Sequence, residues 1–409
     1  MNYKQLIKPS AFIGLFLCLV ACGNGKKPEH MDAYETGSFG HDLEFLKKND
    51  RVIVLKNKQG SAQIIVSPKY QGKVFTSTAD GLAGKSFGWI NYKAFKAELD
   101  PHMNGYGGED RLWLGPEGGK YSLYFKPGKK MEFENWHTPA AIDSEPWVLK
   151  SSSTTAVSLT KEMSLQNYAG TDLKIRLNRD IQILEDADIE NTLGVNLEGI
   201  KAVGFKTRNI LINSGEESWT EQTGAPCMWN LDMFSPSPKT VIVVPYEEHA
   251  TGKVATTDYF GEIAKDRILY SNGILLFKAD GKSRGKLGIP PNRAKKTIGS
   301  YDGTNNVLTV ASFDLDKQGR YLNQEWTPDK DPYTGDAVNA YNDGPLADGT
   351  QMGPFYEIES VSPAAFLKKG ASMTHQHSVY HFTGDKSKLD AVAKKLLGIS
   401  LAQIETAFN

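Results

Sequence analysis

The chain is predicted to be all-β, a large antiparallel β-sandwich followed by short C-terminal helices, and three observations predict it. Its apolar segments are short, β-branched and bounded by turn residues. Asn-Gly and Asp-Gly dipeptides lie between or beside several of them. Helical periodicity is confined to the end of the 409-residue chain. Many short antiparallel strands over this length argue for packed sheets whose concave outer face can hold a ligand.

Residues 1–21 read as a bacterial lipoprotein signal peptide. Lys4 and Lys8 form the positive start, and the apolar run of residues 11–21 is too short to be a comfortable membrane span. Leu19-Val20-Ala21-Cys22 resembles the lipobox of signal peptidase II substrates, which would make Cys22 the lipidated first residue of the mature chain. That expectation places the protein in the cell envelope, anchored to a membrane through Cys22. Residues 22–40 are then a polar tether without apolar periodicity. Residues 41–409 contain no linker-like run, charge block or repeat, and read as one domain.

Removing residues 1–21 takes away two lysines and no acids, moving the formal charge from −1 to −3, so nothing suggests a nucleic-acid partner. Lipidation consumes Cys22, which leaves Cys227 without an intramolecular partner and reads it as a core residue.

Strands are expected over residues 51–55, 62–66, 73–77, 156–160, 173–184, 240–244, 268–277 and 307–313. Asn272-Gly273 is the best two-residue hairpin signal, and Asp280-Gly281 and Asp302-Gly303 repeat the idea. Residues 387–397 read as a helix with Leu389, Val392, Ala393 and Leu396 on one face and Ser387 and Asp390 as a capping pair; residues 400–408 read as a second helix following it. Residues 79–86 superficially resemble a phosphate loop, but Ala79 stands where the first glycine should be, and no clear strand precedes it.

The most informative block is residues 104–119, where acid, base and indole groups lie among glycines. If residues 109–114 are extended, Glu109, Arg111 and Trp113 share one face and Asp110, Leu112 and Leu114 the other. A carboxylate, a guanidinium fork and an indole together suit a polyhydroxylated ring, because the charged groups bond hydroxyls and the indole covers the C–H face. A buried Glu109/Arg111 ion pair under a core tryptophan is the other reading.

Tyr356-Glu357-Ile358-Glu359-Ser360 reads as a strand with Glu357 and Glu359 on the same face, about 7 Å apart along the backbone. Like charges raise each other's pKa, which suits acid/base work on sugars; a solvated strand face is the alternative. His375, His377 and His381 share one face of a later strand, where catalysis, ligand contact, a metal or plain satisfaction of the sheet are all readings, and no metal is assigned. His102 competes with them for any acid role. The polar loop of residues 331–345, with Asn342, could meet sugar hydroxyls or calcium, or simply bond itself. Residues 286–295 form a candidate cationic rim, read as solvated surface. Trp113 and Trp326 are the favoured stacking platforms among the tryptophans. No nucleophilic Ser-His-Asp pattern is recognisable.

Three stretches carry a resemblance: Ala62-Gln63-Ile64-Ile65-Val66-Ser67-Pro68, Gly107 through Glu117, and Phe355 through Ser360 with Thr374-His375-Gln376-His377. On these the chain resembles the galactose mutarotase-like (aldose 1-epimerase-like) superfamily, and more narrowly bacterial lipoproteins with that fold. The resemblance implies a β-supersandwich with a carbohydrate on its concave face; no cofactor is assigned. It also implies a late glutamate as base, matched by Glu357, and a histidine as acid, for which His375 and His102 are the counterparts proposed. Glu109, Arg111, Trp113, Trp326, Asn342, Glu359 and His377 are the expected substrate contacts. A noncatalytic glycan-binding protein, or a hydrolase or lyase using Glu109, Glu357 or Glu359, would use the same cleft.

Overall fold

The computed structural model describes residues 34–409, so the expected signal peptide, Cys22 and most of the tether lie outside the described residues. Ordered structure begins before residue 41, on a helix the sequence reading does not assign, Phe39–Asn49. Ser38 is its N-cap, its hydroxyl accepting from the His41 N–H at 3.3 Å. Phe39, Leu43 and Leu46, at helical spacing, bury against a three-stranded sheet of Ile53–Lys56, Gln63–Ser67 and Lys73–Thr78.

Two larger sheets make the body. A ten-stranded sheet runs, in spatial order, through Ile268–Ser271, Ile274–Lys278, Thr240–Pro245, Thr297–Asp302, Val307–Phe313, Ser372–Gly384, Ile200–Asn213, Asp172–Ile183, Ala156–Gln166 and Val148–Ser152. A five-stranded sheet orders Gly285–Ile289, Val338–Asn342, Tyr356–Val361, Cys227–Phe234 and Arg111–Gly115. Every strand pairing within the three sheets is antiparallel. The expected all-β antiparallel sandwich is the observed architecture.

The main core lies between the larger sheets, where Ile175, Val203, Phe205 and Leu211 of one meet Leu112, Leu114, Ile358 and Ala340 of the other. On its other face the ten-stranded sheet carries a second apolar layer beneath the helices Asp186–Leu193, Lys386–Leu397 and Leu401–Thr406. One sheet is thus covered on both faces, leaving the far side of the five-stranded sheet to the loops. Cys227 is fully buried there in its strand, and burial pushes its thiol up to about 12.

Each expected strand overlaps an observed one, and Asn272-Gly273 forms the two-residue turn read from it, with φ of 49° and 71° and Ser271 opposite Ile274. Asp302-Gly303 opens a longer hairpin in which Asp302 pairs with Val307. Asp280-Gly281 does not make a hairpin: the chain leaves the ten-stranded sheet at Lys278 and enters the five-stranded sheet at Gly285. The cap of Lys386–Leu397 also differs from expectation. Asp385, not Ser387, is its N-cap, accepting from the N–H groups of Ser387 and Lys388, while Asp390 accepts from the Leu401 N–H and so joins the two helices.

Candidate functional site

The Tyr356–Val361 strand lies in the middle of the five-stranded sheet and divides the chemistry of the molecule between its faces. Glu357 is opposite Met233 and Tyr341, Glu359 opposite Leu231 and Asn339, and these register onward to Arg111 and Lys286. Direct cross-strand partners share a face. Arg111, Trp113, Trp229, Lys286, Glu357 and Glu359 therefore stand together on the side away from the ten-stranded sheet.

On this outer face the charges interlock. Arg111 donates through a terminal guanidinium nitrogen to Glu357 Oε1, and its guanidinium lies 5.2 Å from the Trp113 ring centroid. Lys286 Nζ and Trp229 Nε1 both donate to Glu359 Oε2, at 3.0 and 2.8 Å, and the same ammonium lies 4.6 Å from the Trp229 ring centroid. Burial pushes the Glu357 carboxyl up to about 7; Arg111 pulls it down and the neighbouring Glu359 pushes it further up. Burial also raises Glu117, against the pull of Lys286 and of the Trp326 indole that donates to it at 3.2 Å. Arg111 Nε, Trp113 Nε1 and Glu359 Oε1 are buried without a hydrogen-bond partner among the described residues. Such atoms are costly to leave bare.

The inner face holds a separate polar network sealed between the sheets. His377 Nε2 lies 2.8 Å from Asp232 Oδ2 and its Nδ1 2.8 Å from Ser360 Oγ, which in turn lies 3.0 Å from His375 Nε2. Burial and the charge of His377 lower His375 to about 3, so His375 is a neutral imidazole beside the Ser360 hydroxyl. Burial works to lower His377 as well, but Asp232 outweighs it and raises His377. Asp232 is itself raised to about 7, chiefly by burial, so the pair shares one proton. Beside it, Arg179 binds Asp110 at 3.1 Å and Asn209 at 2.8 Å, and Asn230 donates to Asp110 at 2.8 Å. Asp232, His377 and Ser360 are linked in the order of a nucleophilic relay, but all three are 0% exposed, and no substrate can reach the serine.

This arrangement corrects several expectations. His375 and His377 do not meet Glu357: they bond Ser360, whose side chain leaves the strand on the face opposite Glu357 and Glu359. Glu109 does not share a face with Arg111 and Trp113. The backbone at Glu109 and Asp110 bonds Phe75 and Val74 of the three-stranded sheet, and regular alternation in the five-stranded sheet starts only at Arg111. Gly107 and Gly108, at φ of 84° and 131°, make that change of direction possible. Glu109 accepts from Ser77 at 2.7 Å and meets His381 Nε2 at 2.9 Å on the inner side.

Asn342 is fully buried and ties down the turn at residues 281–283, accepting from the Gly281 N–H and donating to the Ser283 carbonyl, rather than reaching a ligand. His102 bonds the Trp136 carbonyl at 2.6 Å and stacks on Phe133, and it has no hydrogen bond to Glu357. Trp326 is half-buried at the rim, stacked 5.9 Å from Trp136. Of the expected residues, then, Glu357, Glu359, Arg111 and Trp113 converge, with Trp326 beside them through Glu117.

Lys286, Trp229 and Glu117 were not expected at the site. Lys286 reads as rim surface in sequence but is 8% exposed, because Gly285–Ile289 is a strand and Lys286 falls on its charged face. The alternation of Lys286 with Leu287 was the available signal. Arg111 and Glu357 keep 5% and 7% exposure, against 0–1% for Glu109, Asp110, Asp232, His375 and His377, so solvent touches only the outer cluster. An open hollow of about 460 Å³ lies elsewhere, a shallow feature of the ten-stranded sheet among exposed Glu162, Lys174 and Arg176, with none of the converging groups. Among the described residues no group of three His, Cys, Asp or Glu side chains is placed to hold a metal ion.

Residues 37–408 match a family of unknown function, DUF6786. No curated protein matches the sequence. Among solved structures, the Slr1438 protein from Synechocystis sp. PCC 6803 is similar at 13% identity and a TM-score of 0.51, over 82% of this chain and 96% of that one. A galactose mutarotase-like protein from Lactobacillus casei ATCC 334 is similar at 11% identity and a TM-score of 0.49, over 81% and 99% of the two chains. A putative aldose 1-epimerase from Escherichia coli K12 is similar at 14% identity and a TM-score of 0.46, over 81% and 98%. At such identities the likeness concerns fold, and the Synechocystis protein, above a TM-score of 0.5, shares it.

Proposed function

We propose, from the premise that this chain belongs to the DUF6786 family of unknown function, that it is a cell-envelope lipoprotein that binds a carbohydrate on the outer face of its five-stranded sheet. The observation that carries the reading is the convergence there of Arg111, Trp113, Trp229, Lys286, Glu357 and Glu359, with three buried polar atoms lacking partners. A sugar ring supplies what they lack, hydroxyls for the charged groups and a C–H face for an indole. The Cys22 anchor rests on the signal-peptide pattern.

Glu357 is the group for acid/base chemistry at the ring. With its carboxyl near neutrality, it takes the anomeric hydroxyl proton as the bond from C1 to the ring oxygen breaks and the ring oxygen receives a proton. Reversing these steps after rotation of the open aldehyde gives the other anomer. On this face Lys286 and the Glu117 carboxyl are the groups able to give the proton, in place of a histidine. The inner position of His375 and His377 favours a second reading, a glycan-binding protein without turnover. Anomerically pure aldoses followed by NMR, beside calorimetric binding, separate them. Interconversion lost in Glu357→Gln supports the first reading; sugar binding without interconversion supports the second. No binding and no interconversion across a broad panel of mono- and oligosaccharides overturns both.

A further inference from the structure

The outer cluster continues into a run of aromatic rings. The Trp113 centroid lies 5.8 Å from Tyr124, Tyr124 lies 6.1 Å from Trp136 at an interplanar angle of 9°, and Trp136 is stacked with Trp326 at 5.9 Å and with Phe133 at 6.2 Å. His102 stacks on Phe133 at 4.5 Å and 19°. The run passes from buried Trp113, Tyr124 and Trp136 to Phe133, which is 57% exposed.

Two features distinguish it from an ordinary core cluster. Core aromatic pairs favour edge-to-face as well as stacked contacts, whereas from Tyr124 outward these rings lie near-parallel, within 21° of one another at each step. The indole N–H groups of Trp113 and Trp136 and the Thr138 hydroxyl are buried with no partner among the described residues. The exposed Phe133 ring at the end of the run and the unmet donors along it together match a chain of sugar rings, each with a C–H face and oxygen acceptors at its edges. An apolar peptide segment would cover the rings and leave the donors unmet.

We propose that the ligand is an oligosaccharide rather than a monosaccharide. One ring sits at Arg111, Trp113 and Glu357, and at least one further ring lies along the aromatic run toward Phe133. This rests on the sugar-site reading above and extends it. The occupant is a glycan chain, and its length is what the structure selects.

The test is calorimetric titration of the full mature chain and its Phe133→Ala variant with gluco-, galacto-, xylo- and uronate-type oligosaccharides of one to six units. Phe133 is exposed, so its truncation leaves the fold intact. The expected result is affinity that rises with chain length in the wild type, and a loss of roughly tenfold in Phe133→Ala confined to the longer ligands, the scale of one stacking platform. Sugar affinity that changes neither with chain length nor, for the longer ligands, with Phe133→Ala overturns the proposal and leaves the sugar site standing. Failure of every sugar to bind overturns both. A change in self-association of Phe133→Ala by sedimentation, with sugar binding unchanged, identifies the exposed ring as a protein contact and also overturns the proposal.

Discussion

The Arg111 guanidinium reaches the Glu357 carboxylate over an intervening strand. Arg111 is paired in register with Leu231, and Leu231 with Glu359, so the bond to Glu357 runs diagonally across the sheet rather than along a cross-strand row. Lys286, in register with Tyr341 and Glu357, likewise crosses diagonally to hold Glu359 from the opposite edge. Two cations thus approach two neighbouring carboxylates from the two edges of the sheet, on the face where burial raises the Glu357 carboxyl.

Arg111→Ala removes the cation that holds Glu357 down. The variant is expected to lose about 3 kcal/mol of stability, the scale of breaking a buried ion pair, and its Glu357 carboxyl moves further up. Denaturant unfolding reads the first effect, and carboxyl-carbon NMR titration the second. An unshifted Glu357 signal in Arg111→Ala would sink the electrostatic account of the site.

Glu357 also makes a signed prediction for pH. Its folded-state pKa is raised from the ordinary carboxylate range to about 7, so between those limits the native state holds a proton the unfolded chain has released. Its contribution to stability is therefore full below about pH 4.5 and lost as pH rises through 7. Glu357→Gln, which mimics the protonated form, is expected to unfold with a flatter decline over that window than the wild type. Any interconversion that needs the ionised base rises through the same window in the wild type and is absent from the variant.

The inner network is structural, and Asp232→Asn tests this. Asn cannot share the His377 proton as Asp does, and the substitution is expected to cost about 3 kcal/mol. The folded fraction, measured by sugar titration well below the new melting temperature, keeps wild-type affinity. A selective loss of binding or turnover in a stably folded Asp232→Asn protein would return the histidines to the functional site.

The cap of the long C-terminal helix gives a local check. Asp385→Ala is expected to cost about 1 kcal/mol in thermal or denaturant unfolding, and Ser387→Ala distinctly less, because the Asp385 carboxylate takes the N–H groups of Ser387 and Lys388. Equal losses would mean that the cap is shared.

Cys22→Ser is expected to move the protein from the membrane fraction of cells to the soluble fraction and to abolish labelling by a radiolabelled or alkyne fatty acid. Retention in the membrane without label would point to an uncleaved anchor instead.

Much of the fold was legible because short β-branched runs and turn dipeptides report local geometry, and the Tyr356–Val361 strand was readable residue by residue. The convergence of Arg111, Trp113, Glu357 and Glu359 followed from that alternation. Glu109 was misplaced because alternation holds only within one sheet, and the chain changes sheets between Asp110 and Arg111. Asp280-Gly281 misled for a related reason: the dipeptide favours a reversal, but which sheet receives the next strand is decided by packing far away in sequence. The pairing of His375 and His377 with Ser360 and Asp232 joins residues up to 145 positions apart, a relation that no local pattern encodes.

The two-sided Tyr356–Val361 strand has an evolutionary consequence. Glu357 and Glu359 cannot drift in position independently of Ile358 and Ser360, since a slip of one residue would exchange the carboxylates with the side chains that fasten the two sheets. Divergence among relatives that retain this strand should therefore accumulate in the loops around it, the segments bearing Phe133 and Trp326, and a new ligand preference would be acquired there while the carboxylate pair stays fixed.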